Sequence, residues 1–197
     1  VNIGAFLGIF ALIFLLELPD KTLIATIVMS TRARSSSIVI GASLGFTAQM
    51  AIAATAGGLI ALLPVQAKDA VVGTLFLGGA LYLLFVPEKK EEEKGERDAS
   101  LEFPPTRLRE ILTAFSVIFI SEFGDLTQIQ AANFSAKTHR PLEVFFASSL
   151  ALIAISFLGA YGGKYLQRFV ALDKIRLVGG VIFAGFAIYT FVQLATS

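Results

Sequence analysis

"ELPDKT" at residues 17–22 and "EFGDLT" at residues 122–127 decide how this chain is read. The first follows "IGAFLGIFALIFLL" and precedes "LIATIVM", so ionisable groups interrupt an otherwise apolar run. Shifting the chain by 105 positions lays Glu17 on Glu122, Asp20 on Asp125 and Thr22 on Thr127. The overlay continues through Ser30/Ser135, Arg32/Lys137, Val39/Val144, Ala42/Ala147, Ser43/Ser148, Gly57/Gly162 and Gly58/Gly163. The chain is a duplicated unit.

Composition places that unit in a membrane. Of 197 residues, 55% are hydrophobic and 16% charged, against about 25% charged in soluble domains. The net charge of +1 gives no basic footprint for nucleic acid. No cysteine is present, which excludes disulfides, thiolate metal sites and thiol nucleophiles, and His139 alone makes no zinc or copper cluster. Six apolar stretches, at 3–29, 38–63, 69–86, 110–133, 143–163 and 174–195, approach the roughly 20 residues that a span requires. They lack the period-2 alternation of outer-membrane strands, so they are expected to be helices, the third a short one. The expected fold is an all-α integral membrane protein with six transmembrane helices. Residues 1–86 form one three-helix repeat, 87–105 a charged linker and 106–197 a second repeat. Three crossings end on the opposite side, so the second repeat is inverted, and inverted repeats hold their site near mid-membrane at the repeat interface.

Twelve of the sixteen basic residues fall in the loops after the first, third and fifth stretches or, for Lys174 and Arg176, at the very start of the sixth. The positive-inside rule then puts both termini outside and the linker "PEKKEEEKGERDASLEFPP" in the cytosol. That linker is charged, bounded by prolines and without apolar periodicity, and reads as solvated chain. Close helix contact is expected at the glycine pairs and at the G-x-x-x-G spacings Gly4/Gly8 and Gly41/Gly45.

Two copies of E-x-G-D-(K/R)-(T/S), one in the first span of each half, resemble the signature of the GDT / transmembrane-protein-165-like family of transporters. The resemblance covers essentially the whole chain. It departs at Pro19, in place of the motif glycine, and at Leu126, in place of the motif base. It implies transport of Mn²⁺ and/or Ca²⁺, by exchange for H⁺, in a compact bacterial-type member of the inner (plasma) membrane. It also implies a site made of Glu17, Asp20 and Thr22 with Glu122, Asp125 and Thr127. The expected partners are those ions and the lipid bilayer, with a homo-oligomer as an option, no nucleic acid and no prosthetic group.

The residues suit that chemistry. Glu and Asp three apart share one helical face, and facing pairs offer four hard carboxylate donors. Both threonines lie off that face in an ideal helix, so they join only where the helix is irregular, for which Pro19 and Gly124 give reasons. A carbonyl freed by Pro19, that of Leu15 or Leu16, is a further candidate oxygen. Lys21, four residues from Glu17, can pair with it; Leu126 offers the second motif no such base. Four acids and one base leave a remainder of one negative charge on binding a divalent cation, which a proton at Glu122 or Asp125 is expected to meet if Lys21 and position 126 both face the site. Gln49, Gln128, Ser43 and Ser148 are expected to support the pathway; Thr47, Gln130, Asn133 and Ser149 are weaker candidates. Asp69 and Asp173 read as helix starts, Glu110 and Glu143 as early-turn acids, His139 as a loop residue. The competing readings are a membrane-embedded carboxylate hydrolase and an exporter of another small solute. No nucleotide-binding motif is present, which points the energy source to ion gradients or a partner.

Overall fold

The computed structural model describes residues 2–18, 21–85, 93, 96–97, 106–162 and 172–196. All regular structure among them is helical: α1 (Ile3–Glu17), α2 (Lys21–Arg32), α3 (Ser35–Ile60), α4 (Val65–Phe85), α5 (Arg107–Ser121), α6 (Leu126–Thr138), α7 (Pro141–Phe157) and α8 (Leu172–Thr196). A π-helical turn, Leu158–Gly162, prolongs α7. Asn2 caps α1 by accepting the Ala5 N–H at 3.2 Å, and Pro141 opens α7, where its missing N–H costs nothing. Of the 87–105 linker, only 93, 96 and 97 are described, and they are helical.

Among the described residues three helices are long and apolar enough to cross a membrane, namely α3, α4 and α7 with its π turn; α1 and α2, inclined at 66°, make a fourth if the pair is taken as one span. Two of the six expected stretches therefore need correction. Residues 3–29 and 110–133 are not single helices, since each breaks at its acidic motif. The cause is plain in the second half, where Gly124 has φ +76°, a conformation that only glycine adopts freely. The third stretch also changes. It begins at Val65, giving 21 residues and about 32 Å of helix, enough for a hydrocarbon core of about 30 Å.

The largest helix contacts run between the two halves: α1 packs on α7, α5 on α3, α3 on α7 and α6, and α4 on α8. Small residues permit this. Gly41 lies against the Ile111 carbonyl and Ala114 of α5, and Gly57 against the Ala132 carbonyl and Ser135 of α6, each too close for a Cβ. Gly4 and Gly8, in contrast, touch no neighbouring helix, so that expected contact is not made. Phe46, Phe76, Met50, Ile118, Leu152 and Phe183 fill the core.

Polar contacts gather at the ends of the bundle. At one end the Asn2 N–H meets Glu143 Oε2 at 3.3 Å, Lys68 lies 3.0 Å from His139, and Lys137 joins Asp69 and Gln193. At the other, Arg34 stands 3.9 Å from Glu110. Gly57→Ala should lower the thermal midpoint in detergent, since overpacking a tight contact costs about 1–3 kcal/mol, whereas Gly8→Ala should leave it unchanged or raise it.

Candidate cation site

Both acidic motifs sit where a helix stops. Glu17 is the last residue of α1, and Glu122 caps the C-terminus of α5. The chain turns through Phe123 and Gly124, and Asp125, in extended conformation, is the N-cap of α6. Glu122 and Asp125 are therefore not stacked one turn apart on a helical face, as the spacing suggested. The break places them on two helix ends, and it swings Thr127 round to where the ideal helix could not put it.

Thr127 Oγ1 donates to Glu17 Oε2 at 2.6 Å, a bond from the second half to the first. Around it lies a cavity of about 10 Å³, the size that holds one water-sized sphere. Its polar lining is Glu17, Gln49, Glu122, Asp125, Thr127 and Gln128; Phe46, Met50 and Leu152 form the apolar wall. Glu17 is 1% exposed and Glu122 3%. Among the described residues no group of three or more His, Asp or Glu stands close enough together to ligate one ion.

The two glutamines hold the frame. Gln49 Nε2 of α3 donates to the Phe119 carbonyl at 2.8 Å, fixing the last turn of α5. Gln128 Nε2 donates to the Gln49 carbonyl at 3.4 Å, and its Oε1 accepts the Gly124 N–H at 2.6 Å. The break is thus tied to α3 through one side chain. The carboxylates of Glu17, Glu122 and Asp125 make the cavity electronegative; the C-termini of α1 and α5 add partial negative charge and the N-terminus of α6, which Asp125 caps, partial positive charge. This arrangement attracts a cation and disfavours an anion.

Of the expected residues, the structure brings Glu17, Glu122, Asp125, Thr127, Gln49 and Gln128 together. Pro19 and Asp20 lie outside the described residues, as does the side chain of Lys21, which opens α2. Thr22 is fully buried, its hydroxyl has no partner among the described residues, and it does not line the cavity. Ser43 and Ser148 are also off the lining, their hydroxyls buried without a partner. Leu126 does not face the site either: its side chain lies against Gly79 of α4, a consequence of its being the first residue of α6, one step round from the N-cap. A base at 126 would therefore not face the cavity, so that half of the expectation is not met; the charge count itself rests on Asp20 and the Lys21 side chain, outside the described residues.

The model of the divalent cation/proton antiporter GDT1 family matches residues 5–91 and again 110–197, one segment in each half. The chain belongs to the GDT1 family. It is a multi-pass membrane transporter of the divalent cation/proton antiporter type, not an enzyme, which removes the hydrolase reading. GDT1-like protein 3 of Oryza sativa subsp. indica is 27% identical over 97% of this chain and 76% of its own length. GDT1-like protein sll0615 of Synechocystis is 24% identical over 93% of this chain and 95% of its own. The chloroplastic protein PAM71 of Arabidopsis thaliana is 23% identical over 98% and 58%. No solved structure matches the chain.

The sequence reading missed Asp69 and Lys137. Asp69 stands inside α4, not at its start, and pairs with Lys137. The overlay of Lys137 on Arg32 was the available signal. Hydrogen bonds to charged groups contribute about 1.5–3 kcal/mol. Thr127→Val should therefore lower the melting temperature by several degrees, with Thr127→Ser restoring it. Thr22→Val has no such bond to lose and should be neutral or stabilising in the same melts.

Proposed function

We propose that this GDT1-family chain exchanges Mn²⁺ and/or Ca²⁺ for protons at one site near mid-membrane. There Glu17 of the first half meets Glu122, Asp125 and Thr127 of the second around the cavity; Asp20 joins them by the motif alone, and Thr22 stands off the lining. The observation that carries the reading is the Thr127–Glu17 hydrogen bond within the cavity: it joins the two motifs across the repeat interface. Carboxylate, hydroxyl and amide oxygens suit hard divalent cations. A carboxylate buried in a bilayer cannot stay bare, so the site alternates between a cation and protons, and that alternation is antiport. Only one of the two loads need be bound at a time for the carboxylates to remain compensated in transit.

The proposed architecture is six crossings in two inverted repeats, 1–86 and 106–197, with α1–α2 and α5–α6 as broken spans. Its support is the sorting of contacts to the two ends. The loops after α3 and after α6, the N-terminal residues and the end of α8 meet at one end, through Asn2–Glu143, Lys68–His139 and Lys137–Gln193. The loop after α2 meets the start of α5 at the other, through Arg34–Glu110. Six crossings give that sorting. With the basic bias, both termini face outward and the 87–105 linker is cytosolic, in a bacterial plasma membrane.

Glu17→Gln and Glu122→Gln should each abolish proton-coupled Mn²⁺ and Ca²⁺ uptake into proteoliposomes while the proteins still insert and elute as wild type. Near-normal flux in either variant removes that residue from the site. The chain has no cysteine, so single cysteines report topology cleanly. One in the 87–105 linker should resist an impermeant thiol reagent in intact cells, and one at Ser197 should react; a labelled linker overturns the orientation.

A further inference from the structure

At one end of the bundle a vestibule of about 620 Å³ opens between the start of α4 and the ends of α6 and α8. The exchange described above makes no use of it. Lys137 Nζ lies 3.0 Å from Asp69 Oδ1, donates to Gln193 Oε1 at 2.6 Å and stands 5.5 Å from the centre of the Tyr189 ring. The Asp69 side chain is 5% exposed and that of Lys137 24%. Lys137 therefore has two sets of partners: the carboxylate on α4, and the amide oxygen and aromatic face on α8. A second arrangement, with the ammonium resting on Gln193 and Tyr189 alone, keeps it compensated.

Helix α6 connects the vestibule to the cavity. Thr127, Gln130, Asn133 and Lys137 fall within about 120° of its circumference. From Thr127 to Lys137 is about 15 Å of helix, half of a hydrocarbon core of about 30 Å. Gln130 and Asn133 are fully buried. Asn133 Nδ2 donates to Gln130 Oε1 at 3.1 Å, and Gln130 Nε2 to the Leu75 carbonyl at 3.4 Å. Asn133 Oδ1, buried as deeply, meets no donor. A buried acceptor left without a partner is costly, and an amide oxygen is a ligand a divalent cation accepts. The duplication carries the same residue types to the other half, since Arg32 overlays Lys137 and Asp173 falls one residue from the overlay of Asp69.

We propose that the Lys137–Asp69 pair is the gate of the cation path on the vestibule side, the divalent cation displacing Lys137 from Asp69 and passing over Asn133 and Gln130 to the cavity. The proposal rests on the antiport reading. While Lys137 holds Asp69, its positive charge lies across the mouth and repels a cation. When a divalent cation takes Asp69, the ammonium stays with Gln193 and Tyr189, and the stripe on α6 is open.

The test uses the full chain in proteoliposomes with Asn133→Cys as the reporter and a small cationic methanethiosulfonate as the probe. Adding Lys137→Met should speed modification at least tenfold. Asp69→Asn/Lys137→Met, which leaves no unpaired buried charge, should do the same and keeps the test valid if the single variant folds poorly. Ser156→Cys, fully buried on α7, is the control for general loosening and should not accelerate. Equal rates with and without Lys137 overturn the gate, and so does an acceleration shared by Ser156→Cys, which marks the pair as a fastening only. The probe needs no bound metal, so this result stands apart from the antiport reading. Calorimetric Mn²⁺ binding to the unaltered chain, and its loss in Glu17→Gln, tests that reading separately.

Discussion

A carboxylate deep in a bilayer must find its partners within the protein, because lipid offers none. Glu17 finds one in the hydroxyl of Thr127, which belongs to the other half of the chain. Much of the structure follows from making that contact possible. Thr127 reaches Glu17 because the chain breaks at Gly124, and the break survives because Gln128 accepts the Gly124 N–H and ties it to Gln49. Gln49 in turn anchors the end of α5. Remove any of these and the carboxylate loses its setting.

A broken helix is tolerated at membrane depth where the irregular backbone lines a cavity or is covered by protein. Here Glu122 and Asp125 line the cavity, while Phe123 and Gly124 between them are exposed and the Gly124 N–H is taken by Gln128. The break also sets helix ends beside the carboxylates. An unbroken span would carry its dipole past the motif to the far surface, leaving no field at the centre. Stopping α1 at Glu17 and α5 at Glu122 brings two negative helix ends to the cavity, and starting α6 after Asp125 brings a positive one. The carboxylates set the sign of the field, and a cation between them is favoured. Small residues allow the convergence: Gly41 and Gly57 of α3 let α5 and α6 approach backbone to backbone, which brings the glutamine frame within hydrogen-bond reach.

Duplication, helical class and the acidic motifs were legible in the sequence, because repetition and apolar length survive without knowledge of contacts. Gln49 and Gln128 could be named as polar groups in apolar runs, though not their role in pinning a turn. The break was only half legible. Gly124 signalled irregularity, but whether a glycine bends a helix or ends it depends on the neighbours that receive the freed groups, and Gln128 is that neighbour. Leu126 misled for a related reason: a motif aligns residue types, while the facing of a side chain is set by where the helix begins. Asp69 was misread as a helix start because local sequence carries no mark of a lysine 68 positions away.

The two halves are alike in sequence and unlike in their present contacts. Thr127 is bonded to Glu17, while Thr22, its counterpart, is buried with an unpartnered hydroxyl. Two identical units placed about an axis need not hold identical conformations; in an inverted repeat, exchanging them turns the molecule to face the other side. An unpartnered buried hydroxyl in one half and a bonded one in the other is then a difference that such an exchange reverses. In the antiport we propose, the acidic site lies between the halves and need not move when they exchange. On that proposal access is what changes, and the means of changing it lie away from the site, at the ends of the polar stripes. The paired Lys137 and Asp69 stand at such an end, about half a bilayer from the carboxylates they would admit a cation to.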